Sequence, residues 1–317
     1  MTLIAHNLML HACAGRAAEA ARRRLLVVRN PLAGIAASRL CTDVEERLAA
    51  HGVAVTHYDA GQLEAIGGLA SHAHDVDAVV AAGGDGTIRA LAAALLGTGV
   101  PLGIIPAGTG NVMATEIGAP SHPDAIAAML MTGPIVEIES ASANGAPFLL
   151  MAGAGFDARI LGRLDLAAKR RVGKLAYAAP TLAVLSRLQA PFQVRVDGAE
   201  HEACWIVATN ARHYAGRFVI SPSADVRRPG LHAVLLAPKG RIGMADALVR
   251  LALGRHDGVS GLTIVPARRI EVASAQPIQA DGDYLGSGPL LVESGGPRLA
   301  LIVPAASLSA PSQPAAR

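Results

Sequence analysis

The sequence predicts two domains: an α/β domain built on a parallel sheet, followed by a β-rich domain in which antiparallel strands form a sandwich-like core. Three observations favour this fold class. At 317 residues, the chain is longer than the usual single domain. Up to about residue 134, continuous apolar runs alternate with helical spacing, which is typical of a parallel sheet covered by helices. From about Ile135, short strand-like segments follow one another with turn residues between them.

The first domain is predicted from apolar runs that each end in a turn or a loop. Strands are expected at residues 25–28, 53–56, 77–81 and 101–105. Apolar residues recur at helical spacing between these strands, which predicts helices over 38–50, 57–69, 88–96 and 112–117. In such a fold the carboxyl ends of the parallel strands lie at one edge of the sheet, where ligands bind.

The second domain is predicted from a series of short strands that one long helix interrupts. The strands are expected at residues 135–139, 148–152, 192–196, 205–209, 232–236, 263–265, 269–272 and 299–303, and the helix at 165–188. The predicted ranges are 1–24 for a helical or disordered leader, 25–139 for the α/β domain, 140–304 for the β-rich domain, and 305–317 for a flexible tail.

Composition excludes several classes of protein. The chain carries 28 basic and 25 acidic residues, a formal charge of +3, which gives no support for nucleic acid as a partner. Cys13, Cys41 and Cys204 are widely separated and form neither a disulfide framework nor a metal-binding spacing, which predicts reduced thiols in a cytoplasmic protein. No run of about 18 strongly apolar residues indicates a membrane span.

The segment Gly83-Gly84-Asp85-Gly86-Thr87 follows the third predicted strand and opens a helix. This arrangement places backbone N–H groups and a helix N-terminus where an anion binds. Glycine is required because a side chain would hold phosphate groups away from the backbone. Asp85 is a candidate Mg²⁺ ligand, directly or through water, and Thr87 is a candidate phosphate donor or helix cap. By itself the pattern also fits an ordinary turn that binds nothing.

Two further loops strengthen the phosphate hypothesis. Pro106-Ala107-Gly108-Thr109-Gly110-Asn111 also follows a buried strand and leads into a helix, and Asn30-Pro31-Leu32-Ala33-Gly34 follows the first strand. In a parallel sheet all three loops lie at the carboxyl edge. Their convergence favours a nucleotide over three unrelated tight turns.

Together these motifs are highly specific. Asn30-Pro31-x-x-Gly34, the Gly83–Thr87 loop and Pro106-x-Gly108-Thr109-Gly110-Asn111, in that order and spacing, resemble the catalytic domain of the diacylglycerol kinase family, which includes sphingosine and ceramide kinases. The resemblance extends over nearly the whole chain after residue 24, through Gly153-x-Gly155-Phe156-Asp157, Asn210 with Tyr214-Ala215-Gly216, and Asp281-Gly282-Asp283. It implies an ATP-dependent lipid kinase that acts in a cleft between its two domains.

The resemblance also implies roles for single residues. The residues expected to hold ATP are Asn30, Pro31, Gly34, Gly83, Gly84, Asp85, Gly86, Thr87, Gly108, Thr109 and Asn111. The catalytic base of the family closes an Asp-Gly-Glu motif, and the matching residue is Asp283. Aspartate keeps the carboxylate but shortens its reach by one methylene, so the backbone or the substrate has to adjust.

The late acidic motif has a second interpretation, because Asp-Gly is also a favoured pair in hairpin turns. Asp281 is therefore expected to be either structural or a metal ligand. Glu139 matches an acidic position that the family uses near the domain junction, and a solvent-facing carboxylate is an equal alternative. Asn210 is a candidate for the same junction or for the substrate site.

Two departures from the family pattern stand out. Arg227 and Arg228 occupy positions where acidic residues of some bacterial relatives help to bind a second magnesium, and their positive charge argues against that metal here. In the first loop, Ala33 and Ile35 replace a small polar residue and a basic residue, which removes a phosphate contact.

The expected cofactors are ATP and Mg²⁺, and the expected partner is a lipid substrate collected during transient contact with a membrane. The cluster Lys169-Arg170-Arg171 with Lys174 is a candidate for anionic headgroups or ATP phosphates, or else a solvated helix face. The sequence leaves the acceptor lipid and the oligomeric state open, with a homodimer as one alternative.

Two rival functions remain. NAD kinases, which phosphorylate a soluble acceptor, also carry the Gly-Gly-Asp-Gly-Thr loop, although the Pro106–Asn111 segment matches the lipid kinases better. A nucleotide-binding regulator without catalysis is the other rival, and the shortened acid at Asp283 and the altered metal stretch support it.

Overall fold

The computed structural model of the protein describes residues 21–29, 34–59, 75–165, 167–168, 173–216 and 218–309. It confirms the predicted fold class. An α/β domain surrounds a six-stranded, mostly parallel sheet, and a second domain contains a ten-stranded antiparallel sheet. Among the described residues, no helix is long and apolar enough to cross a membrane.

The elements of the first domain alternate as the apolar pattern predicts. They are β1 (Arg24–Arg29), α1 (Ile35–Ala50), β2 (Ala54–Asp59), β3 (Ala78–Gly83), α2 (Asp85–Leu95), β4 (Leu102–Pro106), α3 (Val112–Glu116), α4 (Pro123–Thr132) and β5 (Ile135–Glu139). Every residue of β3 is buried, because the strand lies inside the sheet with helices on both faces.

The second domain contains more short elements than the first. Its strands are β6 (Ala141–Ala143), β7 (Ala146–Phe148), β8 (Met151–Gly155), β9 (Phe192–Val196), β10 (Ala199–Ala203), β11 (Trp205–Thr209), β12 (His213–Tyr214), β13 (Phe218–Val219), β14 (Leu231–Leu236), β15 (Leu262–Ala267), β16 (Arg269–Ala280) and β17 (Asp283–Glu293). Its helices are α5 (Phe156–Leu161), a 3₁₀ turn (Gly173–Tyr177), α6 (Ala178–Ser186) and α7 (Gly240–Ala252). The chain then forms β18 (Arg298–Ile302) and α8 (Ala306–Ser309).

The last strand was predicted in the wrong domain. The first sheet has the order β2-β1-β3-β4-β18-β5, so β18 lies inside it, parallel to β4 and antiparallel to β5. The expected range of 140–304 for the second domain is therefore wrong for β18. Its apolar residues Leu299 and Leu301 are fully buried, but a short apolar run does not state which sheet it joins.

The long helix expected at 165–188 is also wrong in part. Residues 162–165 are not helical, and Gly173 has a φ of +59°, a left-handed conformation that interrupts an α-helix. Only the 3₁₀ turn and α6 are helical from there to Ser186. The hairpin of β16 and β17 is, in contrast, much longer than the expected strand at 269–272.

Both predicted terminal segments are partly folded. The side chain of Arg22 is buried, and its Nε donates to the carbonyl of Leu130 at 2.6 Å, near the end of α4. The expected leader of 1–24 is therefore wrong for residues 21–24. The expected flexible tail is wrong for α8, because the carbonyl of Ser307 accepts a hydrogen bond from Arg227.

The chain crosses between the domains twice, once after β5 and once before β18. The two crossing segments are hydrogen-bonded to each other, since Ser140 Oγ donates to the carbonyl of Pro297 at 2.7 Å and Gly296 N–H donates to the carbonyl of Ser140 at 2.9 Å. A continuous apolar core also joins Ile88 and Met113 of the first domain to Leu150 of the second. This packing fixes the two sides of the cleft relative to each other.

Several predictions lie outside the described residues. These are the ATP-binding roles of Asn30 and Pro31, the helix expected at 57–69 after β2 ends, the basic cluster at 169–171, residues 1–20 of the leader and residues 310–317 of the tail.

Candidate active site

The first two glycine loops lie in direct backbone contact at the carboxyl edge of the sheet. β3 ends at Gly83, and Gly84 precedes the first residue of α2. A β-carbon placed on Gly84 would lie 3.1 Å from the Cα of Gly108, and a β-carbon on Gly108 would collide with the Cα of Gly84. The close approach explains why both positions are glycine.

Asp85 fixes the second loop to the first. Its Oδ1 accepts a hydrogen bond from the N–H of Val112 at 2.7 Å, and its Oδ2 lies against the Cα of Gly110. The carboxylate thus caps the N-terminus of α3 from the neighbouring loop. The predicted Mg²⁺ ligand therefore has a structural contact on one of its two oxygens.

Asn111 is likewise committed to the shape of its own loop. Its backbone is left-handed, with a φ of 52°, and its Oδ1 accepts the N–H of Gly108 at 2.9 Å. Its Nδ2 donates to the carbonyl of Gly108 at 2.7 Å. The side chain shapes the predicted ATP loop rather than pointing a free amide at a ligand.

The remaining predicted phosphate contacts differ in exposure. Gly86 and Thr109 are exposed, and nothing lies within 4 Å of a β-carbon placed on Gly86. Thr87 is buried and packs over Gly83. Gly34 is exposed at the N-terminus of α1. Gly86 thus leaves the N-terminus of α2 exposed, and helix N-termini of this kind suit anions.

The Asp281-Gly282-Asp283 motif forms a hairpin turn, which is one of the two interpretations that the sequence allows. Asp281 and Gly282 have φ values of 44° and 85° and join β16 to β17, where Ala280 pairs with Asp283. Positive φ at both turn residues is the geometry that Asp-Gly favours. The turn directs Asp283 outward from the start of β17.

Asp281 is held by three consecutive backbone amides. Its Oδ2 accepts the N–H of Leu149 at 2.9 Å, and its Oδ1 accepts the N–H groups of Leu150 at 2.9 Å and Met151 at 3.0 Å. Burial raises the pKa of Asp281, and these three donors together with the nearby charge of Arg89 oppose that shift. Asp281 anchors the turn to the segment between β7 and β8.

Arg89 joins the two domains at the turn. It lies one helical turn after Asp85 on α2, and its guanidinium forms an ion pair with the carboxylate of Asp283. About half of the Asp283 side chain is exposed, with 53% of its surface accessible, compared with 34% for Arg89. The predicted base is thus reachable from solvent and lies beside a cation.

A small cleft lies beside the Arg89–Asp283 ion pair. Its lining residues are Asp85, Ile88, Arg89, Met113, Leu149, Leu150 and Asp281. Of these, Arg89 carries the positive charge, two are carboxylates, and four are apolar. The cleft therefore combines a wall from the first domain that includes Asp85 and Arg89 with an apolar and acidic wall from the second.

A buried polar network supports the turn from behind. Gln279 is buried; its Oε1 accepts the N–H of Gly282 at 3.1 Å, and its Nε2 donates to Oδ2 of Asp157 at 3.0 Å. Tyr214 also donates its hydroxyl to Oδ2 of Asp157, at 3.1 Å. Asp157 is thus linked to the Asp281–Asp283 turn through a single side chain.

Asp157 itself is a buried acid that accepts several hydrogen bonds. Burial raises its pKa to about 6, although the N–H of Ala158 and the donors from Tyr214 and Gln279 pull the pKa down. The indole of Trp205 lowers it in the same direction, yet its N–H has no acceptor in hydrogen-bonding geometry, so we assign it the weaker influence. The effect of burial on the pKa of Asp157 thus outweighs that of its hydrogen-bond donors.

Glu139 and Asn210 lie at the domain junction. The amide nitrogen of Asn210 donates to the carbonyls of Glu139 and Leu149, both at 3.1 Å. The Oε1 of Glu139 accepts the N–H of Gly295 at 3.1 Å. Glu139 thus joins the two crossing segments, Asn210 joins the first of them to the loop between β7 and β8, and neither side chain lines the cleft.

The arginine-bearing stretch forms an internal ion pair. Arg227 donates from Nε and Nη2 to the two oxygens of Asp225, each at 2.8 Å. These contacts raise the pKa of Arg227, to which nearby Glu116 also contributes. Among the described residues, no group of three or more His, Cys, Asp or Glu side chains could hold a metal ion.

Sequence reasoning missed three residues of this site: Arg89, Asp157 as a buried acid, and Gln279. Arg89 lies at i+4 from Asp85, which puts both side chains on one face of α2, so helical spacing alone would have marked it. No local pattern identifies Gln279, because its partner Asp157 is 122 residues away in the chain.

Comparisons with known proteins agree with this architecture. The family model for the diacylglycerol kinase catalytic domain matches residues 24–143, and the model for the YegS C-terminal NAD kinase beta sandwich-like domain matches residues 151–304. A crystal structure of a diacylglycerol kinase from Bacillus anthracis superposes with a TM-score of 0.69 at 22% identity, covering 90% of this chain and 98% of that one. At that identity the likeness concerns the fold.

Two relatives in sequence are close enough to show the family. A diacylglycerol kinase of Mycobacterium tuberculosis is 30% identical over 275 residues, which cover 82% of this chain and 89% of the relative. A protein of Pseudomonas putida named as a YegS-like lipid kinase is 31% identical over 256 residues, covering 78% and 83%. The chain therefore belongs to the family of lipid kinases that share the diacylglycerol kinase catalytic domain.

Proposed function

We propose that this kinase transfers the γ-phosphoryl group of ATP to the hydroxyl of a diacylglycerol-like or sphingoid lipid in a Mg²⁺-dependent reaction. The observation that carries the proposal is the ion pair between Asp283 and Arg89, because Arg89 also lines the cleft beside the exposed N-terminus of α2. Family membership supports a lipid kinase at a coarse level; the acceptor is the finer claim.

The phosphates of ATP would bind where α2 begins. The first N–H groups of a helix have no partner within it and carry partial positive charge. The contact between Gly84 and Gly108 keeps side chains out of this space, so a phosphate can approach the backbone. The exposed hydroxyl of Thr109 borders the same loop and is a candidate donor.

Asp283 would accept the proton of the acceptor hydroxyl. As that oxygen bonds to the γ-phosphorus, the bond from phosphorus to the bridging oxygen of ADP breaks, and the proton passes to the carboxylate. When ATP binds, the guanidinium of Arg89 would leave Asp283 and pair with the γ-phosphate, which carries more negative charge. ATP binding would thereby release the base at the moment when the acceptor needs it.

The residues present fit a magnesium ion that arrives with the nucleotide. Mg²⁺ in kinases is bound through one or two carboxylates and the phosphates of the substrate, not by a full protein cage. Asp85 uses Oδ1 to cap α3 and retains lone pairs on Oδ2. When bound, the ion would neutralise phosphate charge, and Asp85 would hold it near the two loops.

The acceptor lipid would approach from the second domain. Tyr284 and Leu285 follow Asp283 on β17 and are exposed by 45% and 52%. Leu149 and Leu150 line the cleft itself. Apolar side chains next to the base suit an acyl or alkyl chain better than a nicotinamide nucleotide, which favours the lipid over the soluble acceptor. A cytoplasmic enzyme with transient membrane contact follows from that choice.

Labelled ATP tests the proposal directly. The protein is incubated with diacylglycerol, sphingosine, ceramide and NAD in separate reactions, with and without Mg²⁺. Label in the organic extract supports a lipid kinase, label in NAD indicates the soluble-acceptor kinase, and no label indicates the non-catalytic regulator. Asp283→Asn is expected to lower lipid phosphorylation by about 10²- to 10⁴-fold while nucleotide binding stays intact. Retained turnover in this variant would refute the assigned base.

A further inference from the structure

The outer face of α6, α7 and the strand β13 carries a cluster of exposed large apolar side chains. Six of the nine large hydrophobic residues that are most exposed in the described chain belong to this cluster or to the turn that precedes α6. They are Leu175, Leu182, Phe218, Ile242, Val249 and Leu253, and we call this set the apolar face. Concentration of exposed apolar surface in one region marks an interaction site.

Helical spacing shows that the apolar face is organised. Ile242, Val249 and Leu253 lie at i, i+7 and i+11 on α7, so they form one stripe along that helix. Their exposed fractions are 87%, 59% and 63%. The opposite side of α7 is buried through Met244, Ala247 and Leu251. The helix is therefore apolar on both sides, and only one side has a partner within the described chain.

Positive charge borders the apolar face. Arg187 follows the end of α6, while Lys239 and Arg241 lie at the start of α7. Arg241 donates to the carbonyl of Ser186 at 3.0 Å, which ties the two helix ends together. Within the described part of the chain, none of these three cations pairs with a carboxylate; Arg250 of α7, in contrast, pairs with Asp246.

A shallow cavity opens beside these cations. It has a volume of about 270 Å³, lies between the end of α6 and the start of α7, and is lined by Pro191, Cys204, Pro238 and Arg241 among others. It is apolar on most of its wall, with a guanidinium at one side. The guanidinium of Arg241 beside an apolar wall suits the phosphate of a lipid headgroup.

We propose that the apolar face is the surface through which this enzyme docks on a bilayer that contains anionic phospholipid. This inference rests on the proposed function, because a lipid acceptor has to be collected from a membrane. Apolar helix faces bordered by cations bind at the boundary of headgroups and acyl chains. Arg187, Lys239 and Arg241 would contact headgroup phosphates while Ile242 and its neighbours enter the acyl region.

A bilayer fits the apolar face better than a second copy of the chain does. Self-association of a face surrounded by unpaired arginine and lysine would bring like charges together, whereas an anionic surface neutralises them. The most exposed side chains, Ile242 at 87% and Leu175 at 76%, also protrude rather than line a groove. Charge complementarity thus selects a negatively charged membrane.

Vesicle binding without ATP or acceptor tests the proposal apart from catalysis. Full-length protein is sedimented with phosphatidylcholine vesicles that contain or lack phosphatidylglycerol. We expect the protein to bind the anionic vesicles and to bind them less tightly in high salt. In Ile242→Glu the affinity should fall about tenfold or more, because a charge replaces a side chain that would enter the acyl region. Arg187→Gln with Lys239→Gln is expected to weaken binding about tenfold.

Matched controls lie elsewhere on the molecule. Leu308→Glu alters an apolar side chain that is 56% exposed on α8, and Arg24→Gln with Arg298→Gln removes the same charge from exposed arginines of the first sheet. Both controls should bind vesicles like the parent protein. Equal losses in controls and test variants, or no binding by the parent protein, would overturn the proposal.

Two further readouts separate the alternatives. Phosphorylation of a short-chain diacylglycerol below its micelle concentration should be unchanged in Ile242→Glu, and a loss there would place this side chain in substrate handling instead of docking. A dimer in solution that Ile242→Glu dissociates, together with absent vesicle binding, would assign the face to a second copy. A failed kinase assay leaves the vesicle result valid, so the two proposals fail separately.

Discussion

The two halves of the candidate site are built in different ways. The glycine loops at Gly83–Thr87 and Gly108–Asn111 are close in sequence and touch through backbone atoms, with Asp85 as the main side-chain link. The turn at Asp281–Asp283 is instead held by distant partners, the amides of Leu149 to Met151 and the side chain of Gln279.

If the proposed function holds, this difference separates binding from catalysis. Phosphate binding requires backbone N–H groups at fixed positions, which short-range glycine geometry supplies. Proton transfer requires one carboxylate within hydrogen-bonding reach of a hydroxyl, and that position depends on packing across the cleft. Substitutions in the loops should therefore alter nucleotide binding and stability, whereas substitutions around the turn should alter kcat.

Beyond Asp283 itself, the largest expected effect concerns Arg89, the group that bridges both halves. Arg89→Ala removes the cation from the cleft, so we expect kcat for lipid phosphorylation to fall about 100-fold, the usual cost of losing one positioned donor to transition-state charge. Arg47→Ala is the matched control, because Arg47 of α1 forms an ion pair with Asp124 at 3.2 Å away from the cleft. A loss below threefold in Arg89→Ala would show that the ion pair is only structural.

The second effect is a pH dependence of stability from Asp157. Its pKa is raised from 3.8 to about 6 in the folded protein, so the folded state binds more protons than the unfolded state between about pH 4 and pH 6. This group stabilises the folded state below pH 4, and that contribution is lost as the pH rises through 6. A pKa raised by two units corresponds to about 2–3 kcal/mol of stability.

Denaturant unfolding at pH 4.5 and pH 7 checks this sign. Asp157→Asn removes the titration. The free energy of unfolding of the variant minus that of the parent should therefore be larger at pH 7 than at pH 4.5. A difference that is equal at both pH values would show that the pKa of Asp157 is not raised.

The third effect is confined to the loops. Gly108→Ala places a methyl group against the Cα of Gly84, which should lower the free energy of unfolding by about 1–3 kcal/mol and weaken binding of an ATP analogue. For stability alone, Gly86→Ala is the control, because its β-carbon meets open space and alanine favours the helix. Calorimetry of both variants would reveal equal stabilities if backbone contact between the loops is unimportant.

The smallest effect concerns the support of the turn. Gln279→Ala removes the link between Asp157 and Gly282, so kcat should fall about fivefold to tenfold, near the worth of one to two hydrogen bonds, while KM for ATP stays constant. Gln276→Ala is the control on the same strand, because Gln276 accepts from Arg159 at 2.8 Å and does not reach the turn. Equal changes in KM and kcat would contradict the separation of binding from catalysis.

The sequence predicts the local part of this structure well. Strands β1 and β3, helix α2 and both described glycine loops follow from apolar runs and from glycines at their ends. The Asp-Gly pair also predicts the hairpin turn. Each of these features depends on residues within a few positions of one another.

The remaining features depend on contacts that a single sequence does not express. β17 contains glycine and proline residues and is mostly exposed, so it lacks the apolar alternation of a typical strand. Gly240 and Gly243 weaken the helical pattern of α7. Helical spacing places Arg89 on the face of Asp85, but only the fold shows that Asp283 lies beside it.

The position of β18 between β4 and β5 has a consequence for how the chain is made. Both neighbours are synthesised more than 150 residues before Arg298 leaves the ribosome. Until then the first sheet lacks the apolar strand between β4 and β5. During synthesis, β4 and β5 therefore stay without the strand that joins them until residues 298–302 have been made. Molecular chaperones that shield unpaired strand edges would find their target in that interval.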